Sequence, residues 1–369
     1  MLLRTLFLSI LVLAALFPAG CENKRLERPS LEDLEMVGVL GFDKSPQDRI
    51  KVTISVPQPT KGGFKKDQIY TGEGSLTHEA FYKISAMSAK SVSLRQTRVI
   101  LIGEELARGG GLKDILMDLY RDPQVGNNGV LAIVKGSAES ILKNTAPKQN
   151  SEFLNDLLRP REETAFSPYT TLRDFIFVLT NEVSDPMIPY IEATKQSIKI
   201  SKIALFKKDH LVGFMNPGEA QFIEMLRKEK RFPSITVPFT SSPSMHGILL
   251  LNLMKSQVRT KVTGDLNDPV IFSKLELEAV IQDYKGKLNL ESQKELKMVE
   301  QNCEEYIRDQ IKDVLKKLQS MQVDPVGFGR YARMKFGRDW PKMRQKFVSA
   351  ESDAMISVKI TLRNTETMK

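Results

Sequence analysis

Arg98-Val99-Ile100-Leu101-Ile102-Gly103-Glu104-Glu105-Leu106-Ala107-Arg108-Gly109-Gly110-Gly111-Leu112 is the stretch on which the fold reading turns. After Arg98 the run Val99 to Gly103 has no polar interruption, and Arg98 to Gly103 reads as a buried strand. Glu104 to Ala107 follow, the three glycines make a turn, and a helix then runs through Leu112, Ile115, Leu116 and Leu119 at helical spacing. Asn128 to Val134 is a second strand and Ser137 to Leu142 begins another helix. Strand and helix alternate, and that alternation predicts an α+β or mixed α/β domain.

Upstream, Val37 to Asp43 reads as a strand, Ser45 to Asp48 as a turn, and Ile50 to Val56 as an antiparallel partner ended by Pro57 and Pro59. Leu31 to Met36 reads as a short helix capped by Ser30, with Asp33 at its third position. The Lys- and Gly-rich residues 60–75 read as a loop, and Thr77 as the cap of a helix from His78 to Val92. Residues 143–170, with Pro147, Pro160 and Pro168, read as irregular connection before a helix from Leu172 to Leu179. Asp185-Pro186-Met187-Ile188-Pro189 breaks the pattern, so an N-terminal domain is expected over residues 31–195.

Residues 196–369 are expected to form a C-terminal α+β region, split near 245–265 if it holds two lobes. Ile198 to Phe206 and Leu211 to Phe214 read as a hairpin, and Pro217 opens a helix. Strands are expected at 235–237, 247–263, 275–281 and 355–362. The strongest helix is 291–321, where Leu296, Val299, Cys303, Ile307, Ile311, Val314, Leu318 and Met321 step by three and four. The expected class is α+β, with several mixed or antiparallel sheets flanked by helices.

Residues 1–20, MLLRTLFLSILVLAALFPAG, have the form of a signal peptide: Arg4, an apolar run from Leu6 to Phe17, then small residues. The run falls short of the ~20 residues that span a bilayer. Pro18-Ala19-Gly20-Cys21 resembles a lipobox, with proline where leucine is commonest, and makes Cys21 the expected site of lipidation. Residues 21–30 would be the lipidated tether. Cleavage nearby without lipid, or an uncleaved anchor, are the competing readings. All three put the body of the chain outside the cytoplasm. The lipid reading is preferred because cysteine falls at the cleavage position and occurs only twice in 369 residues.

That scarcity excludes a disulfide framework and a cysteine-built zinc site. The net charge is +9, and loss of residues 1–20 removes one cation, leaving +8. Export argues against nucleic acid as the reason for that charge. A solvated basic surface and contact with an anionic bilayer both account for it.

Chemistry is hard to find. Gly72-Glu73-Gly74 and Gly109-Gly110-Gly111 lack the spacing and the Lys-Ser/Thr of a nucleotide loop and read as turn glycines. His78, His210 and His246 stand alone, the latter two in turns. Cys303 falls in a helix stripe and reads as a small hydrophobe. The pairs Glu104-Glu105, Glu162-Glu163 and Glu304-Glu305 read as solvated charge, because neighbours on one element face different directions. No catalytic, cofactor or metal residue is assigned, and the chain is not expected to be an enzyme. Phe328, Tyr331, Phe336 and Trp340 among Arg330, Arg333, Lys335 and Arg338 read as aromatic core under a basic face, in preference to a partner or headgroup surface.

Several of these stretches together resemble the spore germination lipoproteins, the C-type subunits of nutrient germinant receptors in spore-forming bacteria. They are Leu34 to Asp43, Arg98 to Leu112, Tyr120-Arg121-Asp122-Pro123, Val134 to Ala138, the hairpin 203–213, and Gln322 to Arg330 followed by Trp340. The aromatic residue often found after the lipid cysteine is replaced by Glu22-Asn23, and Phe347 stands where a second tryptophan is common. The resemblance implies an α+β fold with three sheet-containing lobes and no catalysis. It also implies anchorage on the outer face of the spore inner membrane, with A-type and B-type membrane subunits of the receptor as partners. The alternative is a lipid-anchored extracytoplasmic solute-binding protein, which would need a deep cleft. An exported hydrolase ranks third.

Overall fold

The run Val99–Gly103 is a strand in which every residue is buried. Side chains alternate across a strand, and here both sets find a core. Val99 and Leu101 pack with Val130, Ala132, Ile141 and Leu154. Ile100 and Ile102 pack with Leu112, Leu116, Phe175 and Phe42. An aliphatic run without polar positions is the signature of a strand covered on both faces.

The computed structural model describes residues 30–58, 67–144, 151–159, 168–194, 197–227, 234–242, 245–265, 268–350 and 354–364. The leader, Cys21, most of the tether and the Glu162-Glu163 pair lie outside them. In chain order the first elements are β1 (Leu34–Met36), β2 (Val39–Ser45), β3 (Arg49–Val56), β4 (Gln68–Gly74), α1 (Thr77–Ser85), β5 (Ser91–Ser93) and β6 (Val99–Gly103). Next come α2 (Glu104–Gly109), α3 (Leu112–Arg121), β7 (Val130–Val134), α4 (Ala138–Asn144), α5 (Ser151–Leu158), α6 (Leu172–Asn181), β8 (Met187–Ala193), β9 (Ile198–Lys207), β10 (His210–Met215) and α7 (Pro217–Arg227). The last are β11 (Ile235–Ser242), β12 (Met245–Gly264), β13 (Pro269–Lys285), α8 (Gln293–Met321), α9 (Gly329–Phe336), α10 (Trp340–Ala350) and β14 (Met355–Asn364).

Eight strands form one sheet in the order β10-β9-β8-β7-β6-β2-β3-β4. Its centre, β2, β6, β7 and β8, is parallel, and hairpins extend it antiparallel at both ends. The boundary expected at 195/196 falls between β8 and β9, which are neighbours in this sheet. The chain therefore crosses it without leaving the sheet. The second sheet has four strands, β11-β12-β13-β14, and β1 and β5 make a short parallel pair. The split proposed near 245–265 runs along one continuous strand, β12. The resulting class is α+β, with two large sheets and one two-stranded pair among the described residues. One face of the four-stranded sheet packs on α7, α8, α9 and α10, in a cluster that also takes Met187, Ile203 and Leu205 from the large sheet. No described helix is long and apolar enough to cross a membrane.

Several local readings change. Leu31–Asp33 is a single 3-10 turn leading into a strand. Strand β4 occupies residues read as loop, because Gly72 and Gly74 are close-approach glycines. A Cβ on Gly72 would lie 2.5 Å from the Ala80 carbonyl oxygen, so α1 rests on the β4 backbone itself. Helix α1 ends at Ser85, giving way to β5 before Val92 is reached. Helix α5 forms inside the stretch read as irregular, burying Leu154 and Leu158.

Candidate functional site

The stretches that carry the family resemblance converge on buried polar joints. The largest begins where α8 stops. Gln322 takes left-handed backbone (φ 57°), turning the chain so that Val323 and Asp324 enter the core. Asp324 is 2% exposed and holds the next turn together. Its Oδ1 accepts from the backbone N–H of Gly327 (2.6 Å) and Phe328 (3.2 Å), and its Oδ2 from Gly329 (2.8 Å). These groups open α9, so the carboxylate satisfies donors that a helix start leaves free.

Asp185, buried in the loop before β8, completes the joint. Its N–H donates to the Asp324 carbonyl (2.8 Å), and the Asp324 N–H donates to Asp185 Oδ2 (2.9 Å). Asp185 Oδ1 accepts from the Arg344 guanidinium (2.7 Å) and from the Lys208 N–H (3.2 Å). Trp340 Nε1 donates to the Glu182 carbonyl (3.1 Å), and its ring meets Phe347 edge-on at 5.5 Å. A Cβ on Gly329 would lie 2.5 Å from the Val183 carbonyl oxygen and 2.7 Å from the Trp340 ring. Glycine is thus required where these segments touch. Burial pushes the Asp324 carboxyl up to about 6, against the three N–H donors that favour its charge, and Asp185 adds to the rise. A perturbed buried carboxyl is a usual mark of a catalytic group. Here both oxygens are committed to backbone donors, which makes this carboxyl a clasp.

A second joint lies across the large sheet. Asp43, at the end of β2, accepts from the N–H of Ala138 (2.8 Å) and Glu139 (2.9 Å), capping α4 from another strand. Burial raises its pKa, opposed by these two N–H groups. A Cβ on Gly41 would sit 2.9 Å from the Ala138 Cβ, and one on Gly103 would press on the Asp43 carboxylate. Gly41-Phe42-Asp43, Gly103 and Gly136-Ser137-Ala138 are thus one packing unit.

A third joint explains two of the three glycines at 109–111. Gly110 and Gly111 have φ of 82° and 78°, a region that favours glycine. A Cβ on Gly110 would strike the His210 ring. Asp209 Oδ2 accepts from the Lys113 N–H (3.3 Å), tying the β9–β10 turn to α3. Beside it, Tyr190 donates to Glu104 (2.5 Å), which also pairs with Arg108 (2.8 Å). Glu104 is partly desolvated, which raises its pKa, but Tyr190 and Arg108 outweigh this and lower it.

Among the residues singled out in the sequence, His78 is exposed and 3.8 Å from Asp122, His210 is 3.0 Å from Asp209, and His246 is exposed on β12. The structure does not bring the three together. Cys303 is fully buried in the α8 stripe, and burial raises its thiol to about 12. Cys21 lies outside the described residues. Two of the paired carboxylates are not solvated charge after all. Glu104 is the acceptor just described. Glu304 accepts from the Ile360 N–H (3.1 Å) and Glu300 from the Leu362 N–H (2.9 Å), so α8 covers donors of strand β14. Sequence reasoning missed them because the partners stand 86, 56 and 62 residues away. Among the described residues no group of three His, Cys, Asp or Glu side chains could hold a metal ion.

The chain belongs to the spore germination proteins. Residues 27–193 match the family described as spore germination protein N-terminal domain, and residues 201–366 match spore germination B3/GerAC like, C-terminal. The interval between the matches falls at the link from β8 to β9. Among its relatives is spore germination protein GerQC of Bacillus cereus, 25% identical, with 88% of this chain and 89% of the relative aligned. Spore germination protein KC of Bacillus subtilis (strain 168) is 22% identical over 93% of this chain and 91% of its own. Spore germination protein B3 of the same strain is 22% identical over 98% of both. The crystal structure of the GerBC protein superposes with a TM-score of 0.57 at 18% identity, covering 89% of this chain and 97% of the other, which establishes a shared fold.

Proposed function

We propose that this chain is a lipid-anchored, non-enzymatic subunit of a nutrient germinant receptor, required for spore germination. The observation that carries the reading is the ordered match of both halves to the spore germination family. The use of buried polar groups supports it: Asp324, Asp185 and Asp43 serve backbone donors and one arginine, leaving them no reacting atom to address. Cys21 carries the lipid and holds the protein on the outer face of the spore inner membrane. A-type and B-type integral membrane subunits are its partners, and it contributes anchorage and surface.

The test is genetic. In a strain lacking related receptors, deletion of the gene abolishes germination with particular nutrients while sporulation stays normal. Normal germination with every nutrient refutes the proposal. Cys21→Ala releases the protein from the membrane fraction, and unchanged membrane association removes the lipid claim.

A further inference from the structure

Helix α9 and the turn after it present a surface that the core does not use. Ala332 is buried and Tyr331 and Phe336 are partly buried against the C-terminal core. Around them Arg330, Arg333, Lys335, Arg338 and Lys342 are exposed, and Met334, at 78% exposure, is the most exposed large apolar side chain among the described residues. Between residues 330 and 342 the only acid is Asp339. Among the described residues none of these five cations is ion-paired, whereas Lys51, Lys83, Arg108 and Lys143 of the N-terminal region all are. Lys335 is held in place instead by the Gly264 carbonyl (2.5 Å), and Arg333 by the Asn181 carbonyl (3.0 Å).

Five like charges within thirteen residues repel one another unless anions answer them. The apolar side chain in their midst is exposed to solvent. An acidic protein surface answers the cations alone. An anionic bilayer answers both, offering phosphates to the cations and an acyl boundary to the methionine.

We propose that this face docks on anionic lipid headgroups, with Met334 reaching the acyl boundary. The inference rests on the reading that the chain is tethered to a membrane, and it sets which side of the C-terminal half faces that membrane. The test labels the full chain in the presence of excess phosphatidylcholine vesicles, with or without phosphatidylglycerol. Acetylation of Lys342 and oxidation of Met334 are followed by mass spectrometry, with exposed Lys113 as reference. Docking slows labelling at both sites several-fold on the phosphatidylglycerol vesicles alone, and high salt reverses it. At about fivefold in partitioning per cation, R338Q/K342Q weakens docking about twenty-five-fold, which removes the several-fold protection read at Met334. Equal labelling on both vesicle types overturns the inference. Protection that needs co-reconstituted membrane proteins also overturns it, and points to an acidic protein surface. Failure of the chain to float with either vesicle refutes the anchor instead, and labelling with phosphatidylglycerol vesicles in excess still decides the face.

Discussion

Replacing Asp324 by Asn tests whether the clasp is an electrostatic liability at neutral pH. The carboxyl titrates near 6 in the folded protein, against 3.8 for the ordinary side chain, with burial the leading cause. A folded pKa above the unfolded one means that the native state binds the proton more tightly. This contribution to stability is complete below the unfolded pKa and is lost as pH rises through about 6. The full span is about 3 kcal/mol, of which about 2 kcal/mol falls between pH 4.5 and 7.5. The amide that replaces the carboxyl does not titrate. Carboxylates remote from the joint behave alike in both proteins and cancel in the comparison, and the repulsion from Asp185 is part of the rise that the amide removes. Urea melts of wild type and D324N across this range should therefore give stability curves that diverge. The difference should move by about 2 kcal/mol in favour of the variant as pH rises. The new amide presents a donor either to the N–H groups of Gly327 and Phe328 or to that of Gly329, which offsets the whole variant curve by a constant without changing its slope. Parallel curves would refute the reasoning, since they would mean that Asp324 is no harder to ionise folded than unfolded.

Three further outcomes follow from the joints. Asp43→Ala leaves the N–H groups of Ala138 and Glu139 without their acceptor and should cost about 1–2 kcal/mol in a thermal or urea melt; an unchanged midpoint would remove its capping role. Glu300→Ala with Glu304→Ala strips the acceptors from Ile360 and Leu362, at about 1–3 kcal/mol for each donor left unmade. It also bares part of a strand edge, so light scattering should detect concentration-dependent association, and a monodisperse monomer of normal stability would contradict this. Cys303, with its thiol raised to about 12 and no exposed surface, should resist iodoacetamide at pH 8 until denaturant unfolds α8. Prompt alkylation of the native chain would argue against the burial.

What was legible in the sequence depended on how far each residue's partner lies along the chain. Val99 to Gly103, Val130 to Val134 and the α8 stripe could be read because their periodicity is local. Strand β4 could not. Its glycines look like loop residues until α1 is known to rest on them. Pro186 and Pro189 look like a boundary, yet Pro189 sits inside β8, tolerated because β7 pairs only with Tyr190 and Ile191 beyond it. A proline needs only the absence of a required N–H partner, and that absence is a property of the neighbouring strand.

The same distance argument separates what marks this family from what a receptor subunit would present to its surroundings. Leu34 to Asp43, Arg98 to Leu112, Val134 to Ala138 and Gln322 to Trp340 direct most of their distinctive residues inward. Asp43 caps α4, Gly110 makes room for His210, Asp324 clasps α9, and Trp340 bonds to Glu182. A residue committed to an internal donor or a close backbone contact has little left with which to read a ligand. The resemblance was therefore carried by residues that keep the fold assembled, and it reports kinship through architecture. Recognition of membrane or partner has to draw on side chains whose polar ends the fold leaves free. Arg338 within the stretch and Lys342 two residues beyond it meet that requirement, beside the exposed Met334 of the helix that Asp324 and Trp340 hold in place.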